Sequence, residues 1–170
     1  QKLSPAQHLV NPIRNKLLSL GFTEQPLADL RAIVANNQDG PERAMAAREL
    51  ALWHMRAKTP ESYRTALDYI AAARTGEADL DFRSKLAIAE MMCHHFLNDP
   101  SAGNAAYDQA ALAGHVTPDL LLARVNFEHD PEARISWINQ VLQRYDIPPV
   151  ALLPDDGRPQ RALRSFPDLS

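Results

Sequence analysis

This sequence of 170 residues has little of several features that would narrow its function. Its single cysteine, Cys93, excludes an intrachain disulfide framework and is compatible with a reducing cytosol, although it does not fix the redox compartment. Basic residues are not in excess, since 18 Lys and Arg face 21 Asp and Glu and the formal net charge is -3. Charge therefore gives no reason to propose a nucleic-acid partner.

Long apolar runs are also missing. Runs such as ALL and LLLA, and the longest, YIAAA, are far shorter than the roughly 18 residues that a membrane-spanning helix needs. No signal-like combination of charged, apolar and small residues opens the chain. We therefore expect no transmembrane segment and a cytoplasmic location. The first residue is Gln1, which we interpret as the start of a piece excised from a larger protein, although processing would look the same.

Proline is plentiful, with 13 copies, and its placement is informative. Seven prolines follow a residue suited to the N-cap of a helix, namely Ser4, Asn11, Gly40, Thr59, Asp99, Thr117 and Asp130. Proline is tolerated at the first helical position because its missing N–H would have no partner there. Glycines at 21, 76 and 114 follow periodic segments, as C-terminal glycines do. The pattern predicts helices over 5–10, 12–20, 24–36, 41–58, 60–75, 81–97, 100–113, 118–128 and 131–145.

Apolar residues recur at helical spacing within these segments. The clearest stripe consists of Phe82, Leu86, Ala89, Cys93 and Phe96. No segment of useful length alternates apolar and polar residues, so the fold class is predicted to be all-α. We expect five large side chains to lie inside the fold: Leu50, Trp53, Ile70, Leu86 and Phe96.

The helix starts from Pro41 onward are spaced by roughly 18 to 20 residues, so the helices form pairs with a period typical of solenoids. The second helix of each pair resembles the small-residue pattern of the tetratricopeptide repeat (TPR). The matching positions are Ala66, Ile70 and Ala73 in one pair and Ala106, Ala110, Ala113 and Pro118 in the next. Trp53 and His54 stand where that repeat has leucine and glycine, so we interpret the pairs as degenerate TPR-like hairpins. The predicted organisation is N-terminal helices over 1–37, a helical-repeat array over 38–145, and an extended strap and linker tail over 146–170.

The most suggestive chemical cluster is EMMCHHF, which brings Glu90, Cys93, His94 and His95 within about one helical turn. These residue types bind zinc, but no second ligand cluster with metal-site spacing accompanies them. Cys93 also falls on the apolar stripe, where a buried thiol needs no metal. We therefore interpret the cluster as structural and assign no metal ligand.

Three other features have ordinary explanations. Asp155 and Asp156 in LPDDG resemble the acidic pair of some glycosyltransferases, but no nucleotide-binding sheet accompanies them, and a solvated turn explains the residues. His115 is interpreted as a connector residue. Arginines at 158, 161 and 164 could contact phosphate, an anionic bilayer or a neighbouring domain, although solvated linker charge is the simpler interpretation. We assign no catalytic residue and no cofactor.

Four phrases of the sequence carry a family resemblance: ARELALWHM, ALDYIAAAR, LLLARVN and RISWINQVLQRYDIPPVALL. Their order over roughly residues 40 to 155 resembles the helical N-terminal region that precedes the catalytic domain in bacterial family 2 glycosyltransferases of surface-polysaccharide synthesis. The matching positions are Trp53, Arg124, Asn126, Trp137 and Asn139, with Pro148 and Pro149 in the strap. The nucleotide-sugar domain and its acidic motif are absent, so the resemblance assigns no catalytic residue here.

This resemblance implies a non-catalytic module that positions a glycosyltransferase against another protein, an acceptor glycan or its own transferase domain. It also implies a cytoplasmic site at the inner face of a membrane, reached through the parent protein. The rival hypothesis is a free-standing TPR-like adaptor or chaperone that binds a peptide in its groove. Either function calls for a protein partner, no cofactor and no nucleic acid.

The strap is too apolar for a freely solvated linker, because it contains Ile147, Val150, Leu152 and Leu153 between prolines that prevent a helix. We predict that residues 146–153 pack in extended form near Trp137, Val141 and Tyr145. There they would cover apolar surface that a further repeat would otherwise cover.

Overall fold

A computed structural model describes residues 2–19, 23–36, 40–76 and 79–149. These residues form eight α-helices and no β-strand, which confirms the all-α prediction. The helices are α1 (Pro5–Ser19), α2 (Glu24–Asn36), α3 (Pro41–Met55), α4 (Pro60–Ala73), α5 (Leu80–Phe96), α6 (Pro100–Leu112), α7 (Pro118–Asn126) and α8 (Pro131–Gln143). None of the described helices has the length and apolarity to cross a membrane.

The helix starts follow the predicted chemistry. Thr59 and Ser62 form a reciprocal capping box at α4, and Ser4 and Gln7 exchange the same pair of hydrogen bonds at α1. Side-chain oxygens of other N-cap residues accept a backbone N–H from the first turn, at Asp79, Asp99, Thr117 and Asp130. From α2 onward, every helix begins within one residue of its predicted start.

The predicted boundary at Asn11 is wrong. Pro12 lies inside α1, so the two predicted helices over 5–10 and 12–20 are a single helix over the described residues. Pro12 and His8, whose carbonyl loses a helical partner, are both exposed. Val10 and Leu17 lie on either side of the proline and are buried in one core cluster, and this packing holds the helix together across the missing hydrogen bond.

The buried residues form three clusters along the chain. The first lies between α1, α2 and α3, the second between α3, α4 and α5, and the third between α5, α6, α7 and α8. Helix α3 therefore contributes to two clusters from different faces, with Leu50 in the first and Ala47 in the second. Small alanines on α3 allow neighbouring helices to approach from both sides.

Most helices pack mainly against their neighbours in sequence, whereas α1 contacts α3 more extensively than α2. The contacts between α3 and α4 and between α5 and α6 are the most extensive, which is compatible with helical hairpins. In addition, α1 contacts α3, α3 contacts α5, and α5 contacts α7. The odd-numbered helices therefore contact one another in chain order, and the predicted N-terminal helices join the same stack.

The predicted interior is correct for Leu50, Ile70 and Leu86, which are buried, but only half correct for Trp53, which is partly exposed. The prediction for Phe96 is wrong, since 51% of its surface remains exposed. Phe96 is the last residue of α5 and stacks on Tyr63 in the first turn of α4, with ring centroids 5.2 Å apart. Helix α4 begins at Pro60, only three residues before Tyr63. This end of the helix is therefore too short to cover the other face of the Phe96 ring.

Two of the glycines that were predicted to end helices are described, and their roles differ. Gly114 has φ +76°, as predicted for a residue that ends a helix in the left-handed conformation. Gly76 serves a different purpose, because a Cβ built on it would lie 2.6 Å from the carbonyl oxygen of Gly40 and would also collide with Ala44. Gly76, just after α4, therefore lies directly against the start of α3. Gly21 lies outside the described residues.

Candidate functional site

The EMMCHHF residues lie on one helix but have separate surroundings. Glu90 forms an ion pair with Arg74 from the end of α4, and His94 Nε2 lies 3.8 Å from Glu90 Oε1. Burial lowers the pKa of His94, Arg74 lowers it further, and Asp99 opposes the shift. Among the described residues, no group of three or more His, Cys, Asp and Glu side chains is arranged to hold a metal ion.

Cys93 is fully buried in the second core cluster, as its place on the apolar stripe predicted. Burial raises the pKa of the Cys93 thiol to about 11, so the thiol stays protonated and unreactive at neutral pH. His95 points elsewhere and belongs to an aromatic cluster, with its ring centroid 4.6 Å from that of Phe127. Glu90, Cys93, His94 and His95 therefore do not form one site.

His115 lies in the α6–α7 connection and lines a small cavity of 170 Å³ with Arg74 and Arg83. The positive charges of this cavity already have partners. Arg74 is paired with Glu90, and Arg83 donates hydrogen bonds to the carbonyl oxygens of Arg74 and Gly76. Asp155, Asp156 and the arginines at 158, 161 and 164 lie outside the described residues, so their predicted roles stay predictions.

Only the first part of the predicted strap is described. Asp146 has φ +53°, which turns the chain away from α8, and the backbone N–H of Ile147 donates to the Leu142 carbonyl at 3.2 Å. Ile147 then packs against the third core cluster, which includes Val141 and against which Trp137 also packs. Residues 150–153 lie outside the described residues.

A different feature has the geometry of a binding site: a cleft of 420 Å³ between α1 and α3. We call it the α1–α3 cleft. It is lined by Arg14, Asn15, Leu17, Leu18, Arg48, Glu49, Leu52, Trp53 and Arg56. Its volume falls in the range of about 300–1,000 Å³ that is typical of ligand pockets.

The α1–α3 cleft is positively charged. Its three arginines surround one carboxylate, Glu49, whose side chain is only 12% exposed and lies 3.8 Å from Arg14 Nη1. Burial raises the pKa of Glu49, while the positive charges of Arg14, Arg48 and Arg56 act to lower it. A chain with a net charge of -3 therefore concentrates positive charge at this place.

Apolar side chains lie beside this charge. Leu18 is 53% exposed and Leu52 37% exposed, and both line the cleft with the partly buried Trp53. Leu17, next along α1, is buried in the first core cluster and fixes how the helix sits on α3. The cleft therefore offers apolar surface and guanidinium groups within one concave space.

Sequence reasoning missed this cleft. Arg48, Leu52 and Arg56 recur every four residues, so they share one side of α3 and its C-cap, separate from the buried Leu50. The available signal in the sequence was a leucine between two arginines at helical spacing. Arg14 and Leu18 have the same spacing on α1, but nothing in the sequence places them opposite α3.

Scans against protein-family models, curated proteins and solved structures each found no match.

Proposed function

We propose that this chain is a non-catalytic helical-repeat module that binds another protein on the side formed by its odd-numbered helices. The observation that carries the proposal is the series of contacts from α1 to α3, α3 to α5, and α5 to α7, in addition to the contacts within each helix pair. Stacked helix pairs with this connectivity build extended concave surfaces that bind proteins. The α1–α3 cleft opens between two members of this series.

A narrower form of the proposal is that the module belongs to a bacterial family 2 glycosyltransferase of surface-polysaccharide synthesis and positions its catalytic domain. The support is the resemblance carried by Trp53, Arg124, Asn126, Trp137 and Asn139. A coding sequence that continues past Ser170 into a nucleotide-sugar-binding domain would support this form. Turnover of a nucleotide sugar by the purified 170-residue chain alone would contradict the non-catalytic assignment.

The second candidate, a free-standing adaptor that binds a peptide, is favoured by the α1–α3 cleft, because its volume suits a few side chains of an extended or helical segment. A coding sequence that ends at Ser170 would favour the adaptor over the glycosyltransferase module. Both candidates require a surface that contacts another protein.

Site-specific photo-cross-linking in the cells that naturally make the protein tests that shared requirement. A photoreactive amino acid would replace Leu52 on α3 or Phe96 on α5, with Leu112 on α6 as the control, because all three side chains are exposed in the structure. We expect discrete protein adducts at Leu52, Phe96 or both, and none at Leu112. The absence of adducts at both odd-helix positions would contradict the proposed function.

A further inference from the structure

Two arginines of the α1–α3 cleft, the half-buried Arg48 and the exposed Arg56, differ from Arg74 and Arg124, which have carboxylate partners. Arg74 is paired with Glu90, and Arg124 lies 2.8 Å from Glu128. Within the part of the chain that the structure describes, neither Arg48 nor Arg56 has a carboxylate oxygen within 4 Å of its guanidinium nitrogens. Their charge is therefore not neutralised by a close partner.

Aromatic rings hold these two guanidinium groups instead. Arg48 lies 5.2 Å from the ring centroid of Phe82, and Arg56 lies 5.3 Å from that of Trp53. Contact with an aromatic ring attracts a guanidinium but does not use its N–H donors as a carboxylate does. Both arginines thus keep N–H donors for an incoming anion, and Arg48 also borders a neighbouring cleft that is lined by Phe82, Asp79 and Asp81.

The one carboxylate in the cleft does not balance this charge. The side chain of Glu49 is mostly but not fully buried, and only Arg14 approaches it within 4 Å. An arginine that is offered a well-placed external carboxylate can form a charge-assisted, bidentate hydrogen bond. The complementary ligand for this part of the cleft is therefore acidic.

The apolar residues of the cleft indicate that the ligand is also partly apolar. Leu18 and Leu52 expose large fractions of their surfaces next to the arginines, so a purely anionic ligand would leave this apolar area in water. A flat bilayer surface fits a concave site poorly. A nucleic acid would gain nothing from exposed leucines, since bases stack on aromatic rings or hydrogen-bond to polar groups.

We propose that the α1–α3 cleft binds an acidic amphipathic peptide segment of a partner protein, whose carboxylates pair with Arg14, Arg48 and Arg56 while an apolar side chain packs on Leu18 and Leu52. This inference rests on the proposed function and specifies the partner's chemistry. Affinity comes from apolar contact at the centre of the cleft, and selectivity comes from the charge around it.

Selection from a random peptide library tests the chemistry. The purified chain would be the bait, and the double variant Arg48→Gln/Arg56→Gln would serve for counter-selection. We expect the selected peptides to combine Asp or Glu with Leu, Ile or Phe at helical or alternating spacing. A basic consensus, a purely apolar consensus or no enrichment over the counter-selection would overturn the inference.

Titration of one selected peptide, labelled with a fluorophore, then tests the residues. We expect Arg48→Gln and Arg56→Gln each to weaken binding about fivefold and added salt to weaken it further. Leu52→Ser should also weaken binding, whereas Glu49→Gln should leave it equal or tighter. The matched control is Arg64→Gln, because Arg64 is 66% exposed on α4 and outside the cleft, and it should have no effect. Circular-dichroism melting would establish that every variant is folded.

Two other results would contradict the cleft inference. The first is equal binding of a peptide in which lysine replaces each acidic residue. The second is arginine-dependent binding of phosphatidylserine vesicles or of a single-stranded oligonucleotide with no binding of the peptide. Cross-linked adducts at Phe96 without adducts at Leu52, together with failed peptide binding, would remove the cleft inference but leave the proposed function standing. Peptide binding in vitro without any cellular adduct would contradict the proposed function, and with it the claim that a partner protein supplies the peptide, while the acidic preference of the cleft would stand.

Discussion

The guanidinium carbon of Arg124 lies 4.8 Å from the centre of the Trp137 ring, so a buried charge on α7 is covered by an aromatic side chain of α8. The same ring makes a T-shaped contact with Tyr107 of α6, with ring centroids 5.1 Å apart. Arg124 and Trp137 are two of the residues that carry the family resemblance. In the structure they join the last helix pair to the rest of the stack.

The Arg124–Glu128 pair should be needed for stability. Glu128→Gln would leave the guanidinium of Arg124 buried without a charged partner, so we expect the free energy of unfolding to fall by about 3 kcal/mol. The double variant Arg124→Met/Glu128→Gln should be at least as stable as this single variant, because it buries no unpaired charge. Urea denaturation measures all three chains. A double variant that is less stable than Glu128→Gln would contradict this account.

The effect of Glu128→Gln should also depend on pH. Burial acts to raise the pKa of Glu128, but the backbone hydrogen bond from Asp130 and the contacts with Arg124 outweigh it, so the pKa lies below its ordinary value of 4.5. A carboxylate with a lowered pKa contributes stability that is complete above its ordinary pKa and is lost as the pH falls through the folded value. The difference between the natural chain and the variant should therefore be constant above about pH 5 and shrink in more acidic solution. If the difference in unfolding free energy between the two chains grew below pH 4.5, the pKa of Glu128 would not be lowered in the folded chain.

Two glycines should respond oppositely to alanine. Gly76→Ala places a methyl group against the carbonyl of Gly40 and the side chain of Ala44, so we expect a loss of about 1–3 kcal/mol in the free energy of unfolding. Gly103→Ala is the matched control, because its Cβ would lie 3.6 Å from His94 Cβ, an ordinary contact, within α6. Removing a helical glycine should raise stability by about 0.5–1 kcal/mol. Thermal melting that moves both variants in the same direction would contradict the packing described around Gly76.

Two phenylalanines on one predicted stripe should differ in importance. Phe82 is buried in the second core cluster, so Phe82→Ala should cost about 3–5 kcal/mol of unfolding free energy. Phe96→Ala removes an exposed ring and one stacking contact with Tyr63, and should cost about 1 kcal/mol. Equal losses in chemical denaturation would mean that the end of α5 is more enclosed than the structure shows.

Cys93 should be unreactive in the folded chain. Because its thiol is buried and its pKa is raised to about 11, we expect a disulfide reagent such as dithionitrobenzoate to modify it only as fast as the chain unfolds. The reaction should become rapid and stoichiometric in denaturant. Rapid labelling in native buffer would show that α5 opens locally, or that Cys93 is accessible.

The sequence by itself determined the elements and most of their limits. Capping residues followed by proline act over one helical turn, so Thr59, Asp99, Thr117 and Asp130 were enough to place the starts of α4, α6, α7 and α8. The burial of Leu50, Ile70, Leu86 and Cys93 also followed from helical periodicity, because a single apolar stripe on a helix must face the interior.

Tertiary structure decided the features that depend on two or more helices. Helix α1 continues through Pro12 because Val10 and Leu17 are buried in a core that α2 and α3 complete. Phe96 is exposed because α4 does not extend far enough beyond Tyr63 to cover it. The α1–α3 cleft belongs to the same category. Arg14 and Leu18 are more than thirty positions from Arg48 and Leu52 in the chain, and only helix packing brings these pairs to one concave surface. Local patterns carry no information about such distances, since spacing along a helix fixes which residues share a face but not what that face meets.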